Sequence, residues 1–565
     1  MSIRMKFITR MENMEKSKIK RYGLFLSMFI GLLFIMPVMD NDGWFILNSG
    51  RYVLENGIPV TEPFTIHEGL HFVMQQWLTD VLYWEIYHYA GMGGLLCMLH
   101  VAAIALIYAY YRLAKLVSRG NEHTAIVLSM FMGVLVCLTF IRTRPQLLSS
   151  LIFILEIFCL ESYLQTRKKK YILLLPILSL LLINLHAAMW PMLLVFLLPY
   201  LIENLLQKKL PCQFATEQVL DVRTFLTAAG LILLCGFINP YGWEAMTYVF
   251  RSYGYEEINM IVGEMHALDI HLPLGKLYYA IFLGILVLYA RKSLPVRYVL
   301  LTVGTIYMAL NAVRSIFLFL VVGTVPVAFI YCQWKGLRDT ADVEQQKKNR
   351  RIRSIMIGLL TVTVIFIISK RHEEIYESIL QFHAGCLYLV LSGFAMALLA
   401  EIYRWTKHSF KQHLQRICCI FIVCSLLGGI FLLVGNKIRT FRERQPVETA
   451  VEYLLQQDDA ADILLWTNYD NGDFAEFRGI KCYMDTRAEV FLKENNQQKD
   501  IFHEYGSLEN GKLHYKEFAD RYHFTYYLTE NSDILYTYLA DDPEYQIIYE
   551  DDNSKNKIRI FRRIT

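Results

Sequence analysis

The chain has 565 residues, of which 55% are hydrophobic and only 19% are charged. This composition is too apolar for a soluble protein of such length and indicates a polytopic membrane protein. The formal net charge of +4 is too small to indicate a nucleic-acid partner, and we expect none.

The first apolar run covers residues 22–39 and follows a basic N-terminal segment. This arrangement is similar to a secretory signal peptide, but no cleavage site with small residues follows the run. Further apolar runs continue along the chain. We therefore interpret residues 22–39 as an uncleaved first transmembrane helix.

Apolar runs of membrane-spanning length recur as far as residue 435. A bilayer core about 30 Å thick requires roughly 17 to 25 such residues per helix. The sequence thus predicts an α-helical polytopic membrane protein with about 13 transmembrane helices. The predicted spans are 22–39, 92–115, 123–141, 147–164, 171–184, 188–202, 223–238, 274–290, 296–311, 315–331, 353–369, 385–402 and 416–435. The runs 171–184 and 188–202 are short, and one re-entrant hairpin is the alternative there.

Every second loop between these spans is basic, as in RLAKLVSRGNEH, TRKKK and ARKSLPVR. Cytoplasmic loops of membrane proteins carry an excess of Lys and Arg, so the N-terminus is predicted to be cytoplasmic. An odd number of spans then places the C-terminal segment outside. We expect a transmembrane domain at 1–436, with a first outer loop at 40–91, and an extracytoplasmic soluble domain at 437–565.

The segment 437–565 is polar and alternates helical and strand patterns. A helical pattern covers PVETAVEYLLQQ, residues 446–457. Segments with strand character follow at 462–468, 481–485, 525–530, 546–551 and 557–563. We expect a small α/β domain.

The predicted outer loops carry most of the polar residues that could do chemistry. The first outer loop contributes Asp40, Asp42, Trp44, Gln76 and Trp77. Later outer loops contribute Arg142, Arg144, Gln146, Asn184, His186, Tyr241, Glu264 and Arg314. Ionisable groups at membrane depth are costly and usually face a cavity or a partner.

Three arginines, Arg142, Arg144 and Arg314, stand at the outer ends of separate helices. They suggest an anionic ligand, and a lipid phosphate is the natural candidate because a guanidinium binds phosphate with two hydrogen bonds. The alternative for each arginine is a side chain that snorkels to the lipid headgroups.

Other candidates also have structural alternatives. His186 can be a buried, hydrogen-bonded histidine, and Asp40 and Asp42 can be solvated loop acids. A divalent cation stays open as a cofactor, although the acids and histidines match no standard zinc spacing. Its candidate ligands are Asp42, Glu264, His266, Asp269 and His271.

Short motifs follow one another in a distinctive order on this outer face. They are D-x-W with Gly-Arg (Asp42, Trp44, Gly50, Arg51), G-I-P to P-F (Gly57 to Phe64), Q-x-W-L (Gln75 to Leu78), R-P-Q (Arg144 to Gln146), N-L-H (Asn184 to His186), N-P-Y-G (Asn239 to Gly242), Glu264, Arg314, Asn468-Tyr469, Gly472 and D-x-R (Asp485, Arg487). Together they resemble the polytopic type C (GT-C) glycosyltransferase superfamily, in particular bacterial members with an extracytoplasmic α/β domain.

The resemblance implies a catalytic acid in the first outer loop, just after the first helix, and a sugar donor attached to polyprenyl phosphate in the outer leaflet. Two adjacent acids usually occupy this place. Here Asn41 separates Asp40 from Asp42, so which acid is the base stays open. Gln76 stands where an acid is often found, which argues against a second carboxylate there.

The sequence hypothesis is therefore a membrane enzyme that moves the sugar to a glycan, lipid or protein acceptor with inversion. One carboxylate takes the acceptor proton, and arginines stabilise the leaving phosphate. Asp42 is assigned as the base, with Asp40 as a helper or metal ligand. Arg144 and Arg314 are assigned to the phosphate. Supporting roles go to Arg142 and His186, and apolar faces for the sugar or isoprenoid to Trp44, Trp77, Trp190 and Tyr241.

Two alternatives come from other classes. A transporter or flippase of lipid-linked glycans should show comparable polar groups deep in the helices or on the inner side, whereas the inner loops are basic and poor in motifs. A non-catalytic assembly protein with the same fold is the other alternative, because a fold does not fix a function.

Overall fold

The computed structural model describes residues 41–139, 142–206, 218–252, 258, 262–290, 294–331, 446–551 and 557–564. Asp40 and the predicted spans 22–39, 353–369, 385–402 and 416–435 lie outside these residues. The predicted count of about 13 transmembrane helices is not confirmed.

Each predicted span inside the described part coincides largely with a helix. The helices are α1 Asn41–Asn56, α2 Trp77–Val117, α3 Glu122–Thr139, α4 Gln146–Thr166, α5 Lys170–Leu185, α6 Met192–Leu206, α7 Val222–Gly236, α8 Trp243–Met246, α9 Val249–Ser252, α10 Pro273–Ala290, α11 Val296–Asn311 and α12 Ile316–Leu318. A π-helix, Phe319–Gly323, continues α12, and 3₁₀ turns occupy Ala187–Met189, Gly263–Met265 and Val313–Ser315.

Four helical segments are long and apolar enough to cross a membrane: Trp77–Val117, Gln146–Thr166, Ala187–Leu206 and Val313–Tyr331. Four shorter apolar helices accompany them, at Lys170–Leu185, Val222–Gly236, Gly275–Tyr289 and Val296–Asn311. Helix α2 is kinked at Gly91, whose φ of 60° and ψ of −162° are not helical. The kink coincides with the predicted end of the first outer loop, so the apolar part of α2 begins just after it.

A buried ion network links three helices of this membrane part. Arg297 of α11 donates to Glu161 of α4 at 2.8 Å and to Glu203 of α6 at 2.6 Å. The hydroxyls of Tyr200 and Tyr298 also donate to Glu161, at 3.1 and 3.0 Å. Glu161 lies about 22 Å along α4 from the first residue of that helix.

The C-terminal domain, residues 446–564, is built on a five-stranded mixed sheet. Its strands are β1 Leu464–Trp466, β2 Lys481–Cys482, β3 Tyr526–Glu530, β4 Tyr545–Asp551 and β5 Ile558–Arg563, in the order β2-β1-β3-β5-β4. Strands β2, β1 and β3 are parallel, and β5 pairs antiparallel with β3 and β4. Each predicted strand segment overlaps one of these strands, so the expected α/β domain is found.

Helices surround this sheet. They are α13 Pro446–Leu454, α14 Gly472–Phe477, α15 Lys493–Asn496, α16 Ile501–Glu509, α17 Tyr515–Tyr522 and α18 Ile534–Asp541, with 3₁₀ turns at Ala460–Asp462 and Ala488–Phe491. The sequence pattern predicted only the first of these helices.

The segment 40–91, predicted as the first outer loop, folds onto the C-terminal domain where the structure describes it, from residue 41 onward. Thr65 forms a parallel bridge with Cys482 of β2, and the amide of Ile66 donates to the Cys482 carbonyl at 3.0 Å. His67 donates from Nε2 to the Tyr483 carbonyl at 2.9 Å. The loop thus continues the sheet beyond its β2 edge, and the two segments form one folded unit.

Two glycines of the motif series allow this packing. A Cβ on Gly50 would lie 2.1 Å from the Asp80 carbonyl oxygen, so α1 and α2 touch through bare backbone. A Cβ on Gly472 would lie 2.1 Å from the Met484 carbonyl oxygen, which brings α14 against the chain after β2. Any larger side chain would force these elements apart.

Candidate functional site

An ion pair joins the two residues at the centre of the sequence hypothesis. Asp42 lies in the first turn of α1, and Arg144 lies two residues before the start of α4. Arg144 Nη2 is 3.2 Å from Asp42 Oδ2, and the two side chains are 19% and 28% exposed. The pair is therefore partly buried but open to solvent, as a site for an external ligand must be.

A third charged residue completes this cluster. Glu264 lies in the 3₁₀ turn Gly263–Met265 and accepts a hydrogen bond from Arg144 Nη1 at 2.9 Å. Arg142 reaches the other oxygen of Glu264 at 3.4 Å. Arg144 thus pairs with two carboxylates, Asp42 and Glu264. The N–H groups of a planar guanidinium can also bind two oxygens of one phosphate.

Arg314 stands beside the same turn. Its Nη1 is 3.3 Å from Sδ of Met265. The amide of Val313 donates to the His266 carbonyl at 3.0 Å and fixes the turn against this segment. Arg144 and Arg314 therefore both contact turn Gly263–Met265, Arg144 at Glu264 and Arg314 at Met265.

His186 is buried, with only 2% of its surface exposed. Its Nδ1 shares a hydrogen bond of 2.7 Å with the Ser149 hydroxyl, and the Arg314 charge lies close enough to act on the ring. His186 is thus a buried, hydrogen-bonded side chain that lies near Arg314.

Several other predicted residues make contacts that hold the predicted loops together. Trp77 donates from its indole to Asn184 at 3.0 Å, and the Asn184 amide donates to the Ile238 carbonyl at 2.9 Å. Tyr241 donates from its hydroxyl to the Pro59 carbonyl at 2.7 Å. These polar groups join the first outer loop to later loops.

The remaining predicted residues also face protein. Trp44 packs against Phe474 and Phe477 of α14, with ring centres 4.9 Å away in both cases. Gln76 is buried, and Gln146 begins α4 directly after the R-P part of its motif. Trp190 is buried and donates to the Ser179 hydroxyl at 2.8 Å, so its face is used in packing.

The C-terminal domain contributes groups that sequence reasoning did not assign to the site. Tyr469 donates from its hydroxyl to the Thr486 carbonyl at 2.6 Å. Burial raises the pKa of this hydroxyl well above its usual value, and the charge of Asp42 adds to the effect. Tyr469 therefore lies near Asp42. Its signal in the sequence was the Asn468-Tyr469 motif, to which no role was given.

Helix α14 carries two buried acids, Asp473 and Glu476. Burial raises the pKa of Asp473 well above its usual value, and the charges of Asp485 and Asp42 raise it further. Burial, followed by the Asp485 charge, has the same effect on Glu476. Both carboxyls are therefore harder to ionise than an acid in water, and the Asp42 charge contributes to this effect at Asp473.

The candidate metal ligands do not converge. Within the ranges that the structure describes, no group of three or more His, Cys, Asp or Glu side chains could hold a metal ion. Asp269 instead accepts a hydrogen bond from the amide of His271 at 2.7 Å. Asp40, the other proposed ligand, lies outside the described residues.

Comparison with known proteins identifies this arrangement of elements. No family model and no curated protein matches the sequence. Two crystal structures of ArnT from Cupriavidus metallidurans, one bound to undecaprenyl phosphate and one in the apo state, match with TM-scores of 0.53 and 0.51. Their identities are 10% and 11%, and both matches cover 97% of this chain and 98% of the ArnT chain.

A second protein gives a similar result. The apo structure of the Archaeoglobus fulgidus oligosaccharyltransferase matches with a TM-score of 0.50 at 10% identity, over 90% of this chain and 69% of that chain. Likeness at such low identity is evidence about the fold. The fold of this chain is similar to those of ArnT and the oligosaccharyltransferase, both of which are GT-C glycosyltransferases.

Proposed function

We propose that this membrane protein is a glycosyltransferase that moves a sugar from a polyprenyl-phosphate donor to a glycan, lipid or protein acceptor, with inversion at the sugar. The observation that carries the proposal is the cluster of Asp42, Arg144 and Glu264. It combines a carboxylate suited to a general base with a guanidinium suited to a phosphate. The undecaprenyl phosphate bound to ArnT supports a lipid phosphate as the anion.

The proposed reaction begins at the acceptor hydroxyl. The Asp42 carboxylate takes its proton while the acceptor oxygen attacks the anomeric carbon of the sugar. The bond from that carbon to the phosphate oxygen breaks, and its electron pair leaves with the polyprenyl phosphate. Because a phosphate leaves readily as an anion, no general acid is needed.

Arg144 and Arg314 are proposed to hold the leaving phosphate, with Arg142 nearby. The contacts of Arg144 and Arg314 with neighbouring residues of turn Gly263–Met265 support this assignment. In the described structure Arg144 Nη1 and Nη2 face carboxylates, so a phosphate must share or replace the contact with Glu264. His186 is proposed as a positioning residue, because its ring is buried and bonded to Ser149.

The site is proposed to face the outer side of the membrane. Arg144 lies just before the first residue of α4, and the basic loop Arg167–Lys170 follows the other end. A 21-residue helix is about 32 Å long, which matches the bilayer core. The positive-inside rule then supports an inner location for the basic end and an outer location for Arg144.

The transport alternative gains one observation from the structure, because charged residues do lie deep among the helices. Arg297, Glu161 and Glu203 form the network described above. These groups bond to one another, and the tyrosine hydroxyls donate to Glu161. Such mutual pairing supports a role in joining α4, α6 and α11 more than a role in a substrate path.

The decisive experiment compares Asp42→Asn with wild type in purified, nanodisc-embedded protein. The donors are a panel of radiolabelled undecaprenyl-phosphate sugars, and the acceptors are the endogenous glycans and lipids of a membrane extract. A positioned general base typically contributes about 10²- to 10⁴-fold to a rate. We expect a loss of transfer in this range for the variant, with the amount of folded protein unchanged.

Glu55→Gln is the matched control, because Glu55 is an exposed acid near the other end of α1. It should transfer at the wild-type rate. Full transfer by Asp42→Asn would contradict the base assignment. Absence of transfer by wild type with every donor, together with movement of the same lipids between leaflets, would favour the transporter.

A further inference from the structure

Arg487 belongs to the C-terminal domain, but its guanidinium lies inside the first outer loop. The side chain is only 5% exposed. Its guanidinium carbon is 4.9 Å from the ring centre of Phe45 and 5.2 Å from those of Phe64 and Phe72. Three rings from outside the C-terminal domain thus enclose one of its cations, and such contacts are stronger when water is excluded.

Carboxylates from both segments neutralise this cation. Arg487 Nη2 donates to Glu62 of the first outer loop at 2.8 Å. Arg487 Nε lies 2.9 Å from both oxygens of Asp485, and Glu476 is 3.7 Å from Nη2. Removing one member of a buried charge pair leaves the other unpaired in a medium of low polarity. Arg487 is therefore necessary for the charge balance of this interface.

Glu62 transmits the contact to the backbone of the loop. Its carboxylate accepts hydrogen bonds from the amide of Phe64 at 2.7 Å and from the amide of Thr65 at 3.0 Å. The next residue, Ile66, is the one whose amide bonds to β2. A displacement of Arg487 would thus release the turn that anchors the loop to the sheet.

The other end of the contact lies on the helix that carries Asp42. Phe45 is three residues after Asp42 on α1, and residues with this spacing lie on the same side of a helix. Arg487 therefore packs against α1 within one turn of Asp42. Trp44, between these two residues, packs on α14.

We propose that Arg487 is a positioning residue, through which the C-terminal domain sets the orientation of α1 and hence of the Asp42 carboxylate toward Arg144. The link to catalysis rests on the proposed function, whereas the link to the geometry of α1 does not. The C-terminal domain is then an integral part of the site, and its D-x-R motif has a physical role.

The geometric part is tested by hydrogen exchange on the full chain in nanodiscs. In Arg487→Met, which keeps the volume but removes the cation, amide exchange in 41–56 and 61–72 should be at least about 10-fold faster, since about 1.4 kcal/mol of local opening corresponds to that factor. Arg559→Met is the control, because Arg559 pairs with Glu550 at the opposite end of the sheet. It should leave both segments unchanged.

Glu62→Gln provides a milder variant in case Arg487→Met does not fold. It removes the charge and leaves a single oxygen, which can accept from the amide of Phe64 or from that of Thr65 but not from both as the carboxylate does, so faster exchange should be confined to 61–72. Unchanged exchange in either well-folded variant would overturn the proposal. So would equal acceleration in Arg559→Met, which would indicate general loosening of the C-terminal domain.

The catalytic part is read from the same variants with an undecaprenyl-phosphate sugar that wild type uses. Arg487→Met should lower kcat with little change in KM for the donor, since Arg144 and Arg314 are intact, and Arg487→Lys should recover part of the loss. An unchanged kcat together with faster exchange would reject the link to catalysis alone. If wild type transfers nothing, the exchange results still decide the geometric part.

Discussion

At the scale of single residues, Arg144 contributes most to the candidate site because it contacts two carboxylates at once. We predict that Arg144→Gln weakens binding of undecaprenyl phosphate by roughly 10- to 100-fold, because a hydrogen bond to a charged group is worth about 1.5–3 kcal/mol. Native mass spectrometry of the protein with added undecaprenyl phosphate measures this change. Arg112→Gln, at an exposed arginine on α2, is the control and should bind as wild type does. Equal affinities of Arg144→Gln and wild type would reject the phosphate assignment.

His67 makes the contact between loop and sheet dependent on pH. Burial lowers the pKa of this histidine to about 4, so its ring stays neutral at neutral pH and donates to the Tyr483 carbonyl. Between pH 6.5 and 4 the unfolded chain binds a proton at His67 that the folded chain does not. The free energy of unfolding therefore falls as the pH decreases through this window, by at most about 3 kcal/mol.

The variant His67→Gln tests this prediction, because a glutamine amide keeps a donor but does not titrate. We expect its Tm to fall less steeply than that of wild type between pH 6.5 and 4, and the two curves to run parallel above pH 7. His503→Gln, at an exposed histidine of α16, should follow wild type throughout. Parallel curves for His67→Gln and wild type over the whole range would contradict the expectation. Other titrating groups are common to all three proteins and cancel in the comparison.

At the scale of elements, the contact between α1 and α2 depends on a missing side chain. A Cβ at position 50 meets backbone atoms of Asp80, which cannot rotate away. We predict that Gly50→Ala destabilises the protein by about 1–3 kcal/mol, the usual cost of overpacking, and lowers Tm in detergent. Gly304→Ala in α11 is the matched control, since nothing lies within 4 Å of a Cβ there. It should be neutral or slightly stabilising, because alanine favours a helix.

The opposite ranking of these two variants would mean that α1 and α2 are not packed through Gly50. A lower Tm in both would indicate a general intolerance of the helices to substitution. The contact between α1 and α2 matters for the site, because α1 carries Asp42 and packs against α2.

The strands of the C-terminal domain could be predicted from two patterns. Apolar residues either alternate with polar ones or form a short continuous run, and polar turns lie on both sides. Tyr526–Glu530 is such a case, and it became the central strand β3. The short helices between strands escaped prediction, since a run such as Lys493–Asn496 has no apolar period. A local pattern reports which face of an element is buried, but not which distant element buries it.

The same limit applies to the site. The Lys/Arg bias of the loops predicts Asp42, Arg144 and Glu264 on one side of the membrane, and in the structure Arg144 pairs with both carboxylates. Sequence could not assign Tyr469 or Asp473, because their nearness to Asp42 arises from the packing of α14 on α1. Trp44 is predicted to offer an apolar face to the sugar or isoprenoid. In the structure its ring packs against Phe474 and Phe477 of the C-terminal domain.

At the scale of the whole molecule, the proposed function requires the C-terminal domain and the basic loop 167–170 to lie on opposite sides of the membrane. We predict that Lys512→Cys, exposed in the C-terminal domain, reacts with a membrane-impermeant maleimide in intact spheroplasts. Lys168→Cys, exposed after α4, should react only once the membrane is permeabilised. Both variants are made in a chain whose native cysteines are replaced by alanine or serine, and that chain is the unlabelled control.

The reverse labelling pattern would place Asp42 and Arg144 on the cytoplasmic side, where a base and an arginine could serve only a donor that faces inward. Equal labelling of both positions in intact spheroplasts would contradict a membrane-spanning α4. The expected labelling follows from two independent features of α4. One is its length of about 32 Å, and the other is the Lys/Arg excess at one of its ends. A helix of that length separates its ends by one bilayer core, so the side on which Lys168 reacts fixes the side on which Arg144 must meet its lipid phosphate.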